Sequence, residues 1–333
     1  MIAIGSTQPS YAIHRRSRRR PFDCGPRSDR SMREFPDGVV GREEALQAGW
    51  SDSALARHVA AGRIARLRRG YFSASPRWEH YAIAAARRCE GCALSHRTAA
   101  GMQQIPYLVA RPRVPELTVQ PDARGALEGA HLHRATFEQE DIVRIHGVYA
   151  TTPARTAVDL ARKFGMVAGV VAMDYILHER QASEDDIARV LELSWNWPGI
   201  RSASRAALQA DSRAESPLES LSRLALHKMS VPTPVPQQVL RDERGRPVAR
   251  TDFGWAEFGV AGEADGLTKY RDPDALSAEK VRQEALEQLG LVVVRWTWSE
   301  ITRKPRQVEA RLVNGFRRAE ALRRSGSPRY WSV

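Results

Sequence analysis

The stretch Arg250 to Tyr270, RTDFGWAEFGVAGEADGLTKY, sets acidic side chains among strand-forming residues and so restricts how the C-terminal half can fold. Phe253, Trp255, Phe258 and Val260 favour extended backbone, while the small and acidic residues around Ala256 to Gly259 favour a turn. A turn centred between Glu257 and Phe258 places Asp252 directly opposite Glu263 in an antiparallel pair. The period of two then puts Asp265 on the same face. Like charges so placed repel, and a divalent cation with oxygen ligands would hold them. The alternative is the polar face of a solvated hairpin.

At 333 residues the chain is too long for one ordinary core, which points to two or three domains. Its formal net charge of +12 implies an anionic partner. Nucleic acid ranks ahead of membrane, because no apolar run is long enough to span a bilayer. Three cysteines, Cys24, Cys89 and Cys92, are too few for a disulfide framework and fit a reducing cytoplasm. Cys89 and Cys92 form a lone CxxC without a second ligand pair nearby, so the end of a core helix explains them better than zinc.

Residues 1–36 carry eight arginines against three acids and lack periodicity, as a disordered basic arm would. No apolar core of a secretory signal follows the arginines, so no export is expected and the cytoplasm is the expected location. The arm would add phosphate contacts to DNA; equally, translation could start at Met32.

From Val40 to Ala48 the pattern predicts a short helix, then a turn at Gly49-Trp50. Ser51 or Asp52 caps a second helix running to about Ala60. Arg63 to Phe72 then alternates basic and apolar residues, as the wing of a winged helix-turn-helix does. Arg63, Arg66, Arg68 and Arg69 would meet phosphates, and Ser53, Arg57 and His58 would reach bases. A small helical domain with a solvated basic edge is the competing reading.

The segment Gly41 to Phe72, followed by Ala93-Leu94-Ser95-His96-Arg97-Thr98-Ala99-Ala100 and by Thr151-Thr152-Pro153-Ala154-Arg155-Thr156-Ala157-Val158-Asp159-Leu160-Ala161, resembles the AbiEi family of antitoxins. The resemblance covers about residues 39–210. It implies a winged helix ahead of a mixed α/β domain, DNA binding with autorepression of a toxin gene, and a cognate toxin as a further partner. Periodicity alone predicts helices at Tyr81–Arg88, Ser95–Gln103, Val167–Gln181 and Glu184–Leu193, with strands at Glu116–Val119 and Ala130–Arg134. Arg155 and Asp159, four apart, read as a pair on a helix surface. Ser95 and His96 are adjacent on a helix with no orienting third group, so no nucleophile is read there. Gly199 to Ser216 reads as a domain junction.

Beyond it the pattern predicts a helix from Leu218, a strand Val235–Arg241, the hairpin, a helix Pro273–Leu289, a strand Leu291–Trp298 and a basic helix Lys304–Arg324. A helical crossover makes the last strand parallel to its neighbour. Arg295 within that apolar strand requires a carboxylate or phosphate partner. This order, with Glu219, Arg250-Thr251-Asp252-Phe253, Glu263-Ala264-Asp265-Gly266, Lys269-Tyr270 and Leu291 to Trp298, resembles the PD-(D/E)xK nuclease superfamily, closest to domains related to the very-short-patch mismatch repair endonuclease. The resemblance covers about residues 213–315. It implies that Asp252 and Glu263, with Glu219 and Asp265, hold Mg²⁺, and that Lys269 orients the attacking water. The lysine slot two residues after Glu263 holds Asp265, and Lys269 lies four residues beyond that slot.

The expected architecture is mixed α/β. A basic arm (1–36) precedes a winged helix-turn-helix (37–76), a middle α/β domain (77–210) and a restriction-endonuclease-like α/β domain (211–333). Two functions fit it: Mg²⁺-dependent hydrolysis of double-stranded DNA by Asp252, Glu263 and Lys269, or non-catalytic transcription regulation of the antitoxin kind.

Overall fold

Near Val40 an apolar cluster gathers two short helices and a small sheet. Strand β1 (Val40–Gly41) leads into α1 (Arg42–Gln47) and α2 (Asp52–Ala60), and β2 (Ala65–Arg68) and β3 (Tyr71–Ser73) follow. The sheet order is β1-β3-β2, a winged-helix arrangement. Gly49, at φ 86°, makes the turn between the helices, and Ser51 accepts the Ala54 N–H to cap α2. Val40, Ala45, Leu55, Ile64 and Phe72 form the core, with Phe35 and Trp50 packed on it.

This computed structural model describes residues 34–241, 244–265, 286 and 290–325. The fold is mixed α/β, with three sheets among the described residues. Contacts divide the chain into two units, Met1–Gln103 with Leu108–Thr152, and Gln104–Tyr107 with Pro153–Val333. The division at Thr152/Pro153 falls inside the stretch expected as one middle domain.

The first unit continues with α3 (Trp78–Ala86), β4 (Cys92–Leu94), α4 (His96–Met102), β5 (Glu116–Val119), β6 (His131–Arg134), β7 (Ile142–Ile145) and β8 (Val148–Thr151). Its five-stranded sheet runs β6-β5-β4-β8-β7. Leu94, Leu117 and Ala150 are fully buried there beneath Ala82 and Ala99. Cys92 is buried in β4 and burial pushes its thiol up, while Cys89 lies just before it; both are free thiols.

The second unit begins with α5 (Pro153–Phe164), α6 (Met166–His178), α7 (Glu184–Leu193) and α8 (Ile200–Ala207). The expected junction Gly199–Ser216 therefore contains a packed helix. Its small residues serve close approach: a Cβ on Gly169 would lie 2.4 Å from Ala161 Cβ and 2.8 Å from Ala206 Cβ. Arg155 and Asp159 are likewise not on the surface, with 2% and 1% exposure. Asp159 accepts from Arg155 Nε at 2.9 Å and Arg162 Nη1 at 2.7 Å. Both guanidinium groups lie over the Trp197 ring, at 4.5 and 4.7 Å.

Next come α9 (Pro217–Leu226), β9 (Val235–Arg241), β10 (Pro247–Trp255), β11 (Val260–Asp265), β12 (Val292–Thr297), α10 (Trp298–Arg303) and α11 (Pro305–Arg324). The sheet order is β12-β11-β10-β9, with β12 parallel to β11 and the other neighbours antiparallel. The expected helix Pro273–Leu289 lies outside the described residues except Leu286, which is helical and buried. Gly262 has no room for a side chain, because a Cβ would stand 2.6 Å from the Trp296 ring and 2.9 Å from that of Trp255. Trp296 packs on Phe253 and donates its Nε1–H to Ser222 at 2.7 Å. Trp298, expected to extend the strand beside Trp296, instead opens α10.

Buried Asp174 on α6 ties this sheet domain to the helices before it. Its carboxylate accepts from Arg223 of α9 at 2.8 Å and from the Asp211 backbone N–H at 2.7 Å. Burial raises Asp174 above the usual carboxylate range, and Arg223 pulls against that.

Candidate nucleic-acid interface and the acidic sheet edge

Helix α2 follows the turn and buries only Leu55 fully, leaving Asp52, Ser53, Ala56, Arg57 and Ala60 exposed. Ser53 and Arg57 are exposed on it, and Arg63, Arg66 and Arg69 are exposed on and beside the wing. Among the described residues Arg57 Nε donates to the Ser53 carbonyl at a long 3.4 Å. Asp52, the acid at the start of α2, is held by Arg42 through contacts of 2.7 and 2.5 Å. This pairing pushes Asp52 below the usual carboxylate range and offsets its charge against an approaching phosphate.

Two expected contact residues point elsewhere. The His58 ring packs edge-on against Trp50 at 4.8 Å, and its Nδ1 lies 2.9 Å from the Ala54 carbonyl, so it is half-buried. A bulge between Arg66 and Arg68 sends Leu67 into the core. Arg68 consequently donates to the carbonyls of Glu128 and Gly129 instead of facing outward. Burial and the neighbouring Arg88 lower its pKa.

A second polar cluster, in the middle sheet, carries no expectation from the sequence. Glu116 accepts the Arg97 backbone N–H at 3.0 Å and Arg97 Nη2 at 2.7 Å, with His133 Nε2 at 3.8 Å. Burial works to raise Glu116, but the neighbouring His133 ring and the hydrogen bonds and charge of Arg97 outweigh it and hold the carboxyl at about 2. His96 stacks on His133 at 3.6 Å, and His131 meets His133 edge-on at 4.4 Å. The visible signal was alternation in His131-Leu132-His133, which puts two imidazoles on one face of a strand. Ser95 Oγ lies 3.0 Å from His96 Nδ1 without forming a nucleophile array.

In the C-terminal sheet, Phe253 pairs with Gly262 and Trp255 with Val260. Continued by one residue, that register sets Asp252 against Glu263. Asp252 Oδ2 accepts the Ala264 N–H at 2.8 Å. Glu263 is buried, and Asp252 and Asp265 are half-buried. Glu263 also pairs across the parallel ladder with Arg295, whose Nη1 lies 3.9 Å from Asp265 Oδ2. The guanidinium of Arg295 is thus directed toward the Asp265 carboxylate, the anionic partner that its place in an apolar strand requires.

Glu219 lies in the first turn of α9. It accepts from Ser216 Oγ at 2.7 Å, the Glu215 N–H at 2.9 Å and Gln237 Nε2 at 2.7 Å, as part of the α9 cap. Arg250 pairs with Glu215 at 2.7 Å. Lys269 lies outside the described residues. Among the described residues no group of three or more His, Cys, Asp or Glu is arranged to hold a metal ion. No helix among the described residues is long and apolar enough to cross a membrane.

Comparison with known proteins bears on the front of the chain. An uncharacterized protein of Mycobacterium tuberculosis strain CDC 1551 / Oshkosh, MT2308, is 28% identical over 176 residues, which is 53% of this chain and 65% of that protein. Uncharacterized protein Rv2248 of strain H37Rv matches with the same figures, so the chain spans just under two thirds of the length of these curated relatives. The crystal structure of the RV2827C protein from Mycobacterium tuberculosis aligns with a TM-score of 0.37 at 18% identity, covering 61% of this chain and 83% of that one. Residues 35–73 match the family model described as "Transcriptional regulator, AbiEi antitoxin". Residues 87–207 match the "AbiEi antitoxin C-terminal domain" model, so the winged helix and the sheet-and-helix region after it are AbiEi-like.

Proposed function

We propose that the chain is a DNA-binding transcriptional regulator of a toxin–antitoxin system, with α2 and the wing as its contact with duplex DNA. The observation that carries this reading is the exposed set Arg57, Arg63, Arg66 and Arg69 on a segment matching the AbiEi regulator model. Phosphate neutralisation by such side chains supplies affinity, and Ser53 and Arg57 stand where base edges would be read. A cognate toxin is the second partner in this reading.

The test is binding to the duplex upstream of the chain's own gene against a scrambled duplex at matched salt. Tighter binding to the upstream duplex, weakened by Arg63→Ala with Arg66→Ala, is expected. Equal affinity for both duplexes would remove the regulatory reading.

A second reading, metal-dependent DNA cleavage by the C-terminal sheet, is supported by the register that opposes Asp252 and Glu263 on the strand pair. Cleavage of duplex with MgCl₂ that disappears in Asp252→Ala and Glu263→Ala, with binding retained, would establish it. Intact duplex after incubation with clean wild-type protein would eliminate it.

A further inference from the structure

Helix α11 turns one side to the sheet and leaves the other to solvent. Val308, Leu312, Gly315 and Ala319 are buried, at the spacing of a single helical face. A Cβ on Gly315 would stand 2.9 Å from Val294 Cγ2, so the helix lies close on β12. Residues 298–325 hold eight basic side chains and three acids. Each acid is already engaged: Glu300 with Arg311 at 2.8 Å, Glu309 with the Ser230 N–H at 2.7 Å, and Glu320 with Arg324. Arg323 is directed to the Glu257 carbonyl at 2.6 Å. Arg303, Lys304, Arg306, Arg317 and Arg318 are exposed and carry no ion pair among the described residues.

We propose that this outer face of α11 is a second DNA-backbone contact, in which Lys304, Arg306, Arg317 and Arg318 neutralise phosphates. The proposal rests on the regulator reading only in taking DNA as the partner. Arg306 and Arg317 are three helical turns apart, roughly 16 Å along the axis at 1.5 Å per residue. Duplex DNA presents about one charge per 1.7 Å of its axis, so a stripe of this length meets several phosphates. Ala310 and Asn314, both exposed between the arginines, leave the intervening surface low enough for a strand to approach. An amphipathic membrane helix needs a free apolar face, and here that face is covered by β12.

The experiment measures full-length protein binding to one duplex between 50 and 200 mM salt for three forms: wild type, Arg306→Ala with Arg317→Ala and Arg318→Ala, and Arg63→Ala with Arg66→Ala and Arg69→Ala. Each lost phosphate contact flattens the slope of log K against log salt by about 0.9. The α11 triple variant should therefore flatten it by about 2 to 3 and weaken binding by about tenfold or more at 100 mM. A companion with lysine at the same three positions should restore the slope, and an unchanged melting curve shows that the variants fold. If the wing variant flattens the slope and the α11 variant leaves it at the wild-type value, the α11 contact is overturned and the regulator reading stands. If wild type binds no duplex, both fall. Binding of the α11 face to an acidic protein instead would appear as a wild-type DNA slope in the variant, and would overturn the proposal.

Discussion

The wing and the inner strand pair β10–β11 of the C-terminal sheet both concentrate charge, but they dispose of it in opposite ways. Around the wing, Arg57, Arg63, Arg66 and Arg69 are exposed to solvent, and Asp52, the acid at the start of α2, is occupied by Arg42. In the C-terminal sheet, Glu263, Asp265 and Arg295 lie on adjacent strands, with Asp252 holding a backbone N–H. One region offers charge to a ligand, and the other encloses charge within the fold. A cluster of ionisable residues is therefore a recognition surface only if its counter-charges have gone elsewhere. By that criterion the exposed arginines of the wing and of α11 remain available, whereas Asp252 already holds the Ala264 N–H.

The contrast can be broken experimentally. The largest effect on duplex affinity is expected from Arg57→Ala, Arg63→Ala, Arg66→Ala and Arg69→Ala combined, which should lower it by a factor of about a hundred or more near 100 mM salt. The melting temperature should barely move, since exposed substitutions usually change stability by less than about 0.5 kcal/mol each. Comparable loss of stability in a denaturant titration would mean that these arginines are enclosed after all.

The reverse pattern is expected at Asp174→Ala, which leaves Arg223 in a half-buried position without its carboxylate. Removing one partner of such a pair costs about 3 to 5 kcal/mol, to be read from urea unfolding. Glu116 gives a pH-dependent version. Its folded carboxyl is held at about 2, below the ordinary 4.5, so its contribution is complete above about pH 4.5 and is lost as pH falls toward 2. The difference amounts to about 3 kcal/mol, and Glu116→Gln should flatten the acid limb of the stability profile by that amount.

The smallest effect belongs to Asp252→Ala. Freeing the Ala264 N–H should cost about 1 to 3 kcal/mol while leaving duplex affinity unchanged at fixed salt. A fall in affinity without a fall in stability would move this strand pair into the class of recognition surfaces.

Particular residues show why some of this was legible in sequence and some was not. Glycine at 49, a serine cap at 51 and alternation through the wing are local signals, and α2 begins one residue after that cap. The strand Val235–Arg241 and the parallel placement of β12 also followed from local patterning and connection length. His58 and Arg68 did not, because their directions depend on Trp50 and on a bulge that shifts the register by one residue. Ala-rich α8 read as a linker because its stability comes from contact with Gly169 and Ala161, not from an apolar stripe of large residues. In the C-terminal sheet the acids and the need of Arg295 for an anionic partner were both legible in sequence, but which acid it would face was not. Arg295 arrives from a strand thirty-two positions after Glu263, and only the parallel ladder shows that it sits opposite Glu263 with its guanidinium toward Asp265.

The link between Asp174 and Arg223 has a consequence for how this chain can be divided. Asp174 belongs to the stretch that matches the antitoxin family model, whereas Arg223 lies beyond the end of that match at residue 207. Cutting between the two would leave each fragment with half of an ionic latch and a newly bared helix surface. Heredity can append a module at such a boundary, but once the latch has formed the halves are no longer interchangeable parts. A recombinant fragment ending near residue 210 should be less soluble and easier to digest than its sequence boundaries would imply.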